Sequence, residues 1–107
     1  MKKFKNTIQK GEVRLIVFRE RNTWYGVALE FNIVEEGEQP QEVLLRLMQA
    51  VEGYLESAKK IKARPHVLNQ KPDLEYEELW KKLEQSEGRK PVIPYQIYHY
   101  GRQLIPA

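Results

Sequence analysis

The sequence contains no cysteine. Disulfide bonds, thiolate nucleophiles, cysteine-ligated zinc and iron–sulfur clusters are therefore excluded. Other residues used in catalysis are scarce, since Asp73 is the only aspartate and the two histidines, His66 and His99, lie far apart in the chain. The six glycines are scattered, so there is no glycine-rich phosphate loop. We therefore expect no catalytic, cofactor-binding or metal-binding residues and no enzymatic activity.

Long apolar runs are also missing, because none approaches the roughly 20 residues that cross a bilayer. The segment from Met1 to Asn6 is basic but no apolar stretch follows it, which argues against a secretory signal. The chain has 107 residues, of which 41% are hydrophobic and 31% charged. This size and composition predict a soluble cytoplasmic protein with one modest core and no membrane partner.

Positive charge is concentrated in one short segment. The formal net charge is only +3, yet Lys59, Lys60, Lys62 and Arg64 place four positive charges within six residues. An acidic stretch follows at 73–78. These four residues, called the basic cluster below, form either a solvated face balanced by an intramolecular charge match or a contact for phosphate groups of a nucleic acid. They are therefore candidate nucleic-acid contacts.

Alternating apolar residues predict three strands near the start of the chain. The strands cover residues 12–20, 24–30 and 31–34. The first carries Leu15 and Val17 on one side and Ile16 and Phe18 on the other. Apolar residues on both sides indicate an inner strand, or a strand whose second face meets another subunit.

A helix over 40–60 is predicted next, with Pro40 at its first position. Its apolar residues recur at steps of three and four: Leu44, Leu47, Met48, Val51, Leu55 and Ala58. We expect this helix to cover one face of a three-stranded antiparallel sheet. The predicted core consists of Leu15, Val17, Val27, Leu29, Leu47, Met48 and Val51. Gly53 interrupts the helix and is expected to let a neighbouring element approach closely.

Residues 61–107 are predicted to form a loop, a short helix from Leu74 to about Glu84 and a terminal strand near 94–101. Pro91 and Pro94 favour an edge position for that strand. The extension has too many apolar residues for a solvated tail. They are Tyr76, Leu79, Trp80, Leu83, Val92, Ile93, Tyr95, Ile97 and Tyr98. We expect it to pack on the same core or on a second subunit, with Trp80 buried.

A pattern spread over Val13 to Leu55 points to a known family. A first strand and charged hairpin lead to a second strand that begins with an aromatic residue, then to a third strand that ends in a glycine, and then to a helix with a glutamate near its start. In this chain these features are Leu15–Glu20, Trp24–Glu30, Val34–Gly37 and Glu42, together with the helix ending Gln49–Leu55. The pattern resembles the N-terminal domain of HicB-type antitoxins.

The resemblance implies a degenerate ribonuclease-H-like α+β fold of three strands, a helix and a further strand, without the nuclease carboxylates. It also implies a function, since members of the family neutralise a small basic ribonuclease, HicA, by covering it. Many members carry a C-terminal DNA-binding segment of the ribbon-helix-helix or helix-turn-helix type. Residues 61–107 match neither motif, because their one helix is followed by glycine and proline.

These observations predict a non-enzymatic, antitoxin-type binding protein with a HicB-like β-β-β-α domain at 1–60 and an extension at 61–107. Its expected partner is a small basic HicA-like toxin, and no cofactor is expected. Two alternatives remain: an orphan HicB-like regulatory or structural protein without a toxin, and a nucleic-acid-binding module that uses the basic cluster. We also expect a homo-oligomer. The candidate oligomer surface comprises Ile16, Phe18, Trp24, Phe31 and Ile33.

Overall fold

The computed structural model of this chain describes residues 5–86 and 93–105. Within these residues, four strands and two helices follow in the order β1, β2, β3, α1, α2, β4. The strands are β1 (Gly11–Glu20), β2 (Thr23–Ala28), β3 (Ile33–Gly37) and β4 (Gln96–Ile105), and the helices are α1 (Pro40–Lys60) and α2 (Leu74–Ser86). Short 3-10 segments lie at Leu29–Phe31 and Pro65–Leu68.

The four strands form one antiparallel sheet in the order β3-β2-β1-β4. β1 lies between β2 and β4, so the apolar residues on both of its sides mark an inner strand. β4 pairs with β1 over nearly its whole length, from Gln96 opposite Arg19 to Ile105 opposite Gly11. The predicted α+β class, with three leading antiparallel strands and a C-terminal edge strand, is confirmed.

Both faces of the sheet are covered by this chain, one by each helix. One apolar cluster joins Val13, Leu15 and Val17 of β1 to Val43 and other residues of α1. The second joins the opposite side of β1 to α2. Its buried members are Ile16, Phe18, Val27, Leu29, Leu79, Trp80 and Leu83. Because side chains alternate along a strand, the two clusters lie on opposite faces of the sheet.

The long helix has the predicted bounds, but its buried side is rotated from the predicted one. Val43, Leu47, Val51 and Ala58 are the buried residues of α1, whereas the predicted core residue Met48 is 39% exposed. Met48 follows Leu47 by one residue and so lies about 100° further around the helix. That rotation takes it past the margin of the sheet. The other six predicted core residues are buried, although Val27 and Leu29 pack under α2 and not under α1.

Gly26 lets α1 lie close to the sheet. A Cβ atom on Gly26 would lie 2.9 Å from a methyl group of Val43 and 3.2 Å from one of Leu47. The prediction that Gly53 allows a close approach is wrong, because nothing lies within 4 Å of the position that a Cβ atom on Gly53 would occupy. Gly53 is on the exposed side of α1, where it makes no close approach.

The third strand lies later in the sequence than predicted. β3 begins at Ile33 and ends at Gly37, so the prediction that it covers 31–34 is wrong in its bounds. Leu29–Phe31 instead form a turn, which ends at Asn32 in the left-handed conformation with φ of 52°. Asparagine tolerates that conformation better than most residues do. The turn gives β2 and β3 their antiparallel pairing.

Two elements of the extension belong to the folded core, since α2 packs on the sheet and β4 joins it. Trp80 is only 2% exposed, and α2 starts at the predicted Leu74. The chain before β1 is also held in place, because the buried Asn6 side chain donates to the Leu68 carbonyl and accepts from the Glu12 amide. Val92 and Pro91 of the predicted extension lie outside the described residues.

Candidate interaction surfaces

The five residues of the candidate oligomer surface lie on both faces of the sheet and not on one patch. Ile16 and Phe18 are 0% and 3% exposed because α2 covers them. Phe31 is buried in the cluster under α1, and Trp24 and Ile33 pack partly against that cluster. The extension is thus the cover for the second face of β1. Of the five, only the two partly buried residues keep surface that a second copy could reach without displacing a helix.

The basic cluster lies at the C-terminal end of α1. Lys59 and Lys60 form the last turn of the helix, where their charge is favoured by the helix dipole. Lys62 and Arg64 follow in the connecting loop, and all four side chains are exposed. None of the four forms an ion pair with another residue in the described part of the chain. The intramolecular charge match with residues 73–78 is therefore absent there.

Lys62 has a backbone conformation that favours glycine. Its φ is 50°, and its amide donates to the Lys59 carbonyl at 3.2 Å. The next amide, of Ala63, donates to the Ala58 carbonyl at 2.9 Å. This pair of bonds is the Schellman arrangement that ends many helices, in which glycine is the usual left-handed residue. A lysine here costs conformational energy that glycine would avoid.

Within the acidic stretch at 73–78, Glu77 turns toward the sheet, whereas Asp73, Glu75 and Glu78 are exposed. Glu77 accepts two hydrogen bonds from the Arg14 guanidinium, at 2.5 and 2.9 Å. The hydrogen bonds from Arg14 lower the pKa of Glu77 below its ordinary value. Glu30 completes the arrangement, because its two carboxylate oxygens accept from the Arg14 side chain and the Arg14 amide. Arg14 therefore ties α2 to β1 and to the 3-10 segment that follows β2.

A charged groove of about 910 Å³ surrounds this network. Two guanidinium groups lie near the Trp80 ring, that of Arg14 at 5.7 Å and that of Arg102 at 5.0 Å from its centre. Arg102 in turn pairs with Glu12 at 3.0 Å and Glu84 at 2.8 Å. Both arginines are paired with carboxylates, and through Glu77 and Glu84 they hold α2 against the sheet.

An acidic edge lies along β3 and the start of α1. Glu35, Glu36, Glu38 and Glu42 place four carboxylates there, and none forms an ion pair within the described residues. Arg46 lies nearby, but its guanidinium donates to the backbone carbonyl of Glu36. β3 is paired with β2 on one side only. Sequence patterns alone do not reveal this site, because its glutamates belong to two different elements, the end of a strand and the start of a helix.

The remaining polar candidates do not gather into a site. His66 and His99 are both exposed and lie on different elements, one in the 3-10 turn after α1 and the other on β4. Across residues 5–86 and 93–105, no three histidine, aspartate or glutamate side chains come together in a way that could hold a metal ion. No helix in that part of the chain is long and apolar enough to span a membrane.

Comparison of this chain with protein-family models, with curated proteins and with solved structures finds no match.

Proposed function

We propose that this chain is a non-enzymatic binding protein of the HicB-like antitoxin type, which acts by covering a small basic partner protein such as a HicA-like toxin. The order of β1, β2, β3 and α1, followed by a further strand, agrees with the order that the family resemblance implies. The proposal also assigns the HicB-like fold to the first 60 residues. α2 is then an addition that covers the second face of the sheet.

The acidic edge is the observation that carries this proposal. A small basic protein is attracted by clustered carboxylates, which speed its association and orient it on the surface. The unpaired side of β3 adds backbone groups that a partner can bind by strand addition. The net charge of +3 includes the basic cluster, which lies at the other end of α1 and so away from the acidic edge.

Binding to the product of the neighbouring gene tests the proposal. The full chain is titrated with that small basic protein by isothermal calorimetry, and the partner's ribonuclease activity is measured with and without the chain. The triple variant Glu35→Gln, Glu36→Gln, Glu38→Gln should weaken binding by about tenfold and flatten its dependence on salt. The matched control changes three exposed glutamates elsewhere, namely Glu52→Gln, Glu56→Gln and Glu78→Gln, and should bind as the unaltered chain does.

Two outcomes would contradict the proposal. If the neighbouring protein does not bind, the chain is better described as an orphan regulatory or structural protein. If it binds but both triple variants lose affinity equally, the acidic edge is not the contact and the effect is one of net charge.

A second candidate function is nucleic-acid binding through the basic cluster. The observation that favours it is Lys62, where a lysine is kept at a conformational cost beside three other exposed cations. Replacing all four cluster residues with glutamine should abolish retention on DNA, and the affinity of the unaltered chain should fall with a log–log salt slope of about −0.9 for each phosphate contact. The control Lys81→Gln, Lys82→Gln removes two exposed α2 cations and should leave binding unchanged. A slope near zero would reject this function.

A further inference from the structure

The outer side of β4 is the longest unpaired sheet edge in the described part of the chain. β4 has 10 residues and pairs only with β1, whereas the opposite edge strand, β3, has five. An edge strand presents a row of unpaired amide and carbonyl groups, and natural proteins protect such edges with charges, prolines, bulges or short length. The two edges of this sheet differ in that protection.

β3 is protected by its short length and its glutamates, but β4 is not. Residues 96–105 contain no proline and no acidic residue, and Arg102 is their one permanently charged residue. The pairing of β4 with β1 is irregular only between Val17 and Phe18, near the start of β4. From His99 to Ile105 the register is continuous, so seven residues form a regular edge.

Apolar side chains are concentrated on the same strand. Tyr98 is 43% exposed, Tyr100 39% and Leu104 65%. Tyr98 lies against Trp24 on the α1 face and Tyr100 against Trp80 on the α2 face, so the exposed apolar surface lies on both faces of the strand. The edge therefore offers both backbone hydrogen-bonding groups and apolar surface.

We propose that β4 pairs with β4 of a second copy of this chain, antiparallel and about a twofold axis at Gly101, so that two sheets join into one of eight strands. A twofold axis sets two identical strands against each other, and a strand with a single permanently charged residue has no run of like charges to oppose that pairing. It sets His99 opposite Gln103 of the second copy and Tyr100 opposite Arg102 of the second copy. The two Gly101 residues then lie opposite each other at the centre.

The charge on Arg102 selects this register over its neighbour. An axis at Arg102 would set the two guanidinium groups directly opposite each other, which destabilises a strand pair. An axis at Gly101 places each guanidinium beside a tyrosine ring, an arrangement that is favourable for a cation. The dimer would leave the acidic edge free for the proposed partner, because β3 and β4 are the two opposite edge strands of the sheet.

Disulfide trapping gives a direct test, since the chain has no cysteine of its own. Residues directly opposite in an antiparallel pair have Cβ atoms about 4.5–5.5 Å apart, which is close to disulfide range. Gly101→Cys should therefore form an oxidised dimer far faster than Leu74→Cys, an equally new thiol at an exposed position on α2. Residue 101 accepts a side chain, because its nearest contact is the movable His99 imidazole at 3.3 Å.

Sedimentation supplies a second measurement that needs no thiol. The unaltered chain at about 100 µM should sediment at twice its monomer mass of 12.7 kDa. Tyr100→Lys places a second cation opposite Arg102 at two symmetric positions and should weaken the dimer by roughly tenfold, while Leu74→Lys should not. A chain that stays monomeric overturns the proposal. So does a dimer that Tyr100→Lys leaves intact and that Gly101→Cys does not trap, since another surface must then form it.

Discussion

Replacing Trp80 with alanine tests whether burial of this one ring holds α2 on the sheet. Trp80 is 2% exposed, and the edge of the Tyr100 ring packs against it with the ring centres 5.9 Å apart. Truncating a buried tryptophan costs about 3–5 kcal/mol, because transfer free energy is lost and a cavity remains. Part of that loss comes from the two guanidinium contacts, at about 0.5–1 kcal/mol each. A protein of this size has a free energy of unfolding of about 5–15 kcal/mol, so roughly a fifth of it or more should disappear.

Urea unfolding followed by far-ultraviolet circular dichroism measures this loss without relying on the indole signal. The midpoint should fall with an unchanged slope, and the thermal midpoint should drop by roughly 12–20 °C. Trp80→Phe is the matched control, because it keeps an aromatic ring and should lose less than half as much. A cost of about 1 kcal/mol or less for Trp80→Ala would refute the reasoning, since α2 would then contribute little to the stability of the sheet.

Three further predictions concern the backbone and the charged network. Gly26→Ala should destabilise the chain by about 1–3 kcal/mol, because the new methyl group meets α1. Gly53→Ala should instead stabilise it by about 0.5–1 kcal/mol, because residue 53 is an open helical position. Thermal unfolding that ranks the two variants in the opposite order would contradict the packing described. Lys62→Gly should raise the free energy of unfolding by about 0.5–1 kcal/mol by relieving the left-handed lysine, with no gain as the contrary result. Because Arg14 lowers the folded-state pKa of Glu77 below its ordinary 4.5, the stability from this pair is present above that value and is lost as pH falls through the folded pKa. Acid titration of Glu77→Gln should therefore show a smaller loss of stability below pH 4.5 than the unaltered chain, and equal losses would show that the pair is not formed.

The periodicity of apolar residues predicted most of the fold. Leu15 and Val17 alternate with Ile16 and Phe18, and this two-sided pattern predicts either an inner strand or a strand whose second face meets another subunit; β1 is an inner strand. The three- and four-residue spacing in α1 gave the bounds of the helix. The spacing did not give the centre of the buried side, because Leu44 and Met48 fit the same stripe as Leu47. Only the crossing of α1 over β2 and β3 decides which of them faces the sheet.

The candidate sites were less predictable, because they depend on contacts between distant parts of the chain. Arg14 pairs with Glu77 across 63 residues, and nothing near either residue in the sequence indicates the other. β4 lies beside β1 although the whole of β2, β3 and both helices separate them. The acidic edge exists because β3 is an edge strand, and the sequence of β3 does not show which strand lies at the edge. Local patterns thus identify elements, whereas pairing across the fold creates the surfaces.

The arrangement of charge is compatible with the proposed basic partner, although the chain has a net charge of +3. The acidic edge reaches the first turn of α1 and the basic cluster begins in its last turn. The helix has 21 residues, so its ends are about 30 Å apart at 1.5 Å per residue. The Debye length at physiological salt is about 8 Å, so each end is largely screened from the other. A basic partner at the acidic edge therefore encounters the local carboxylates and not the net charge of the chain, and the basic cluster stays free for a second, anionic contact.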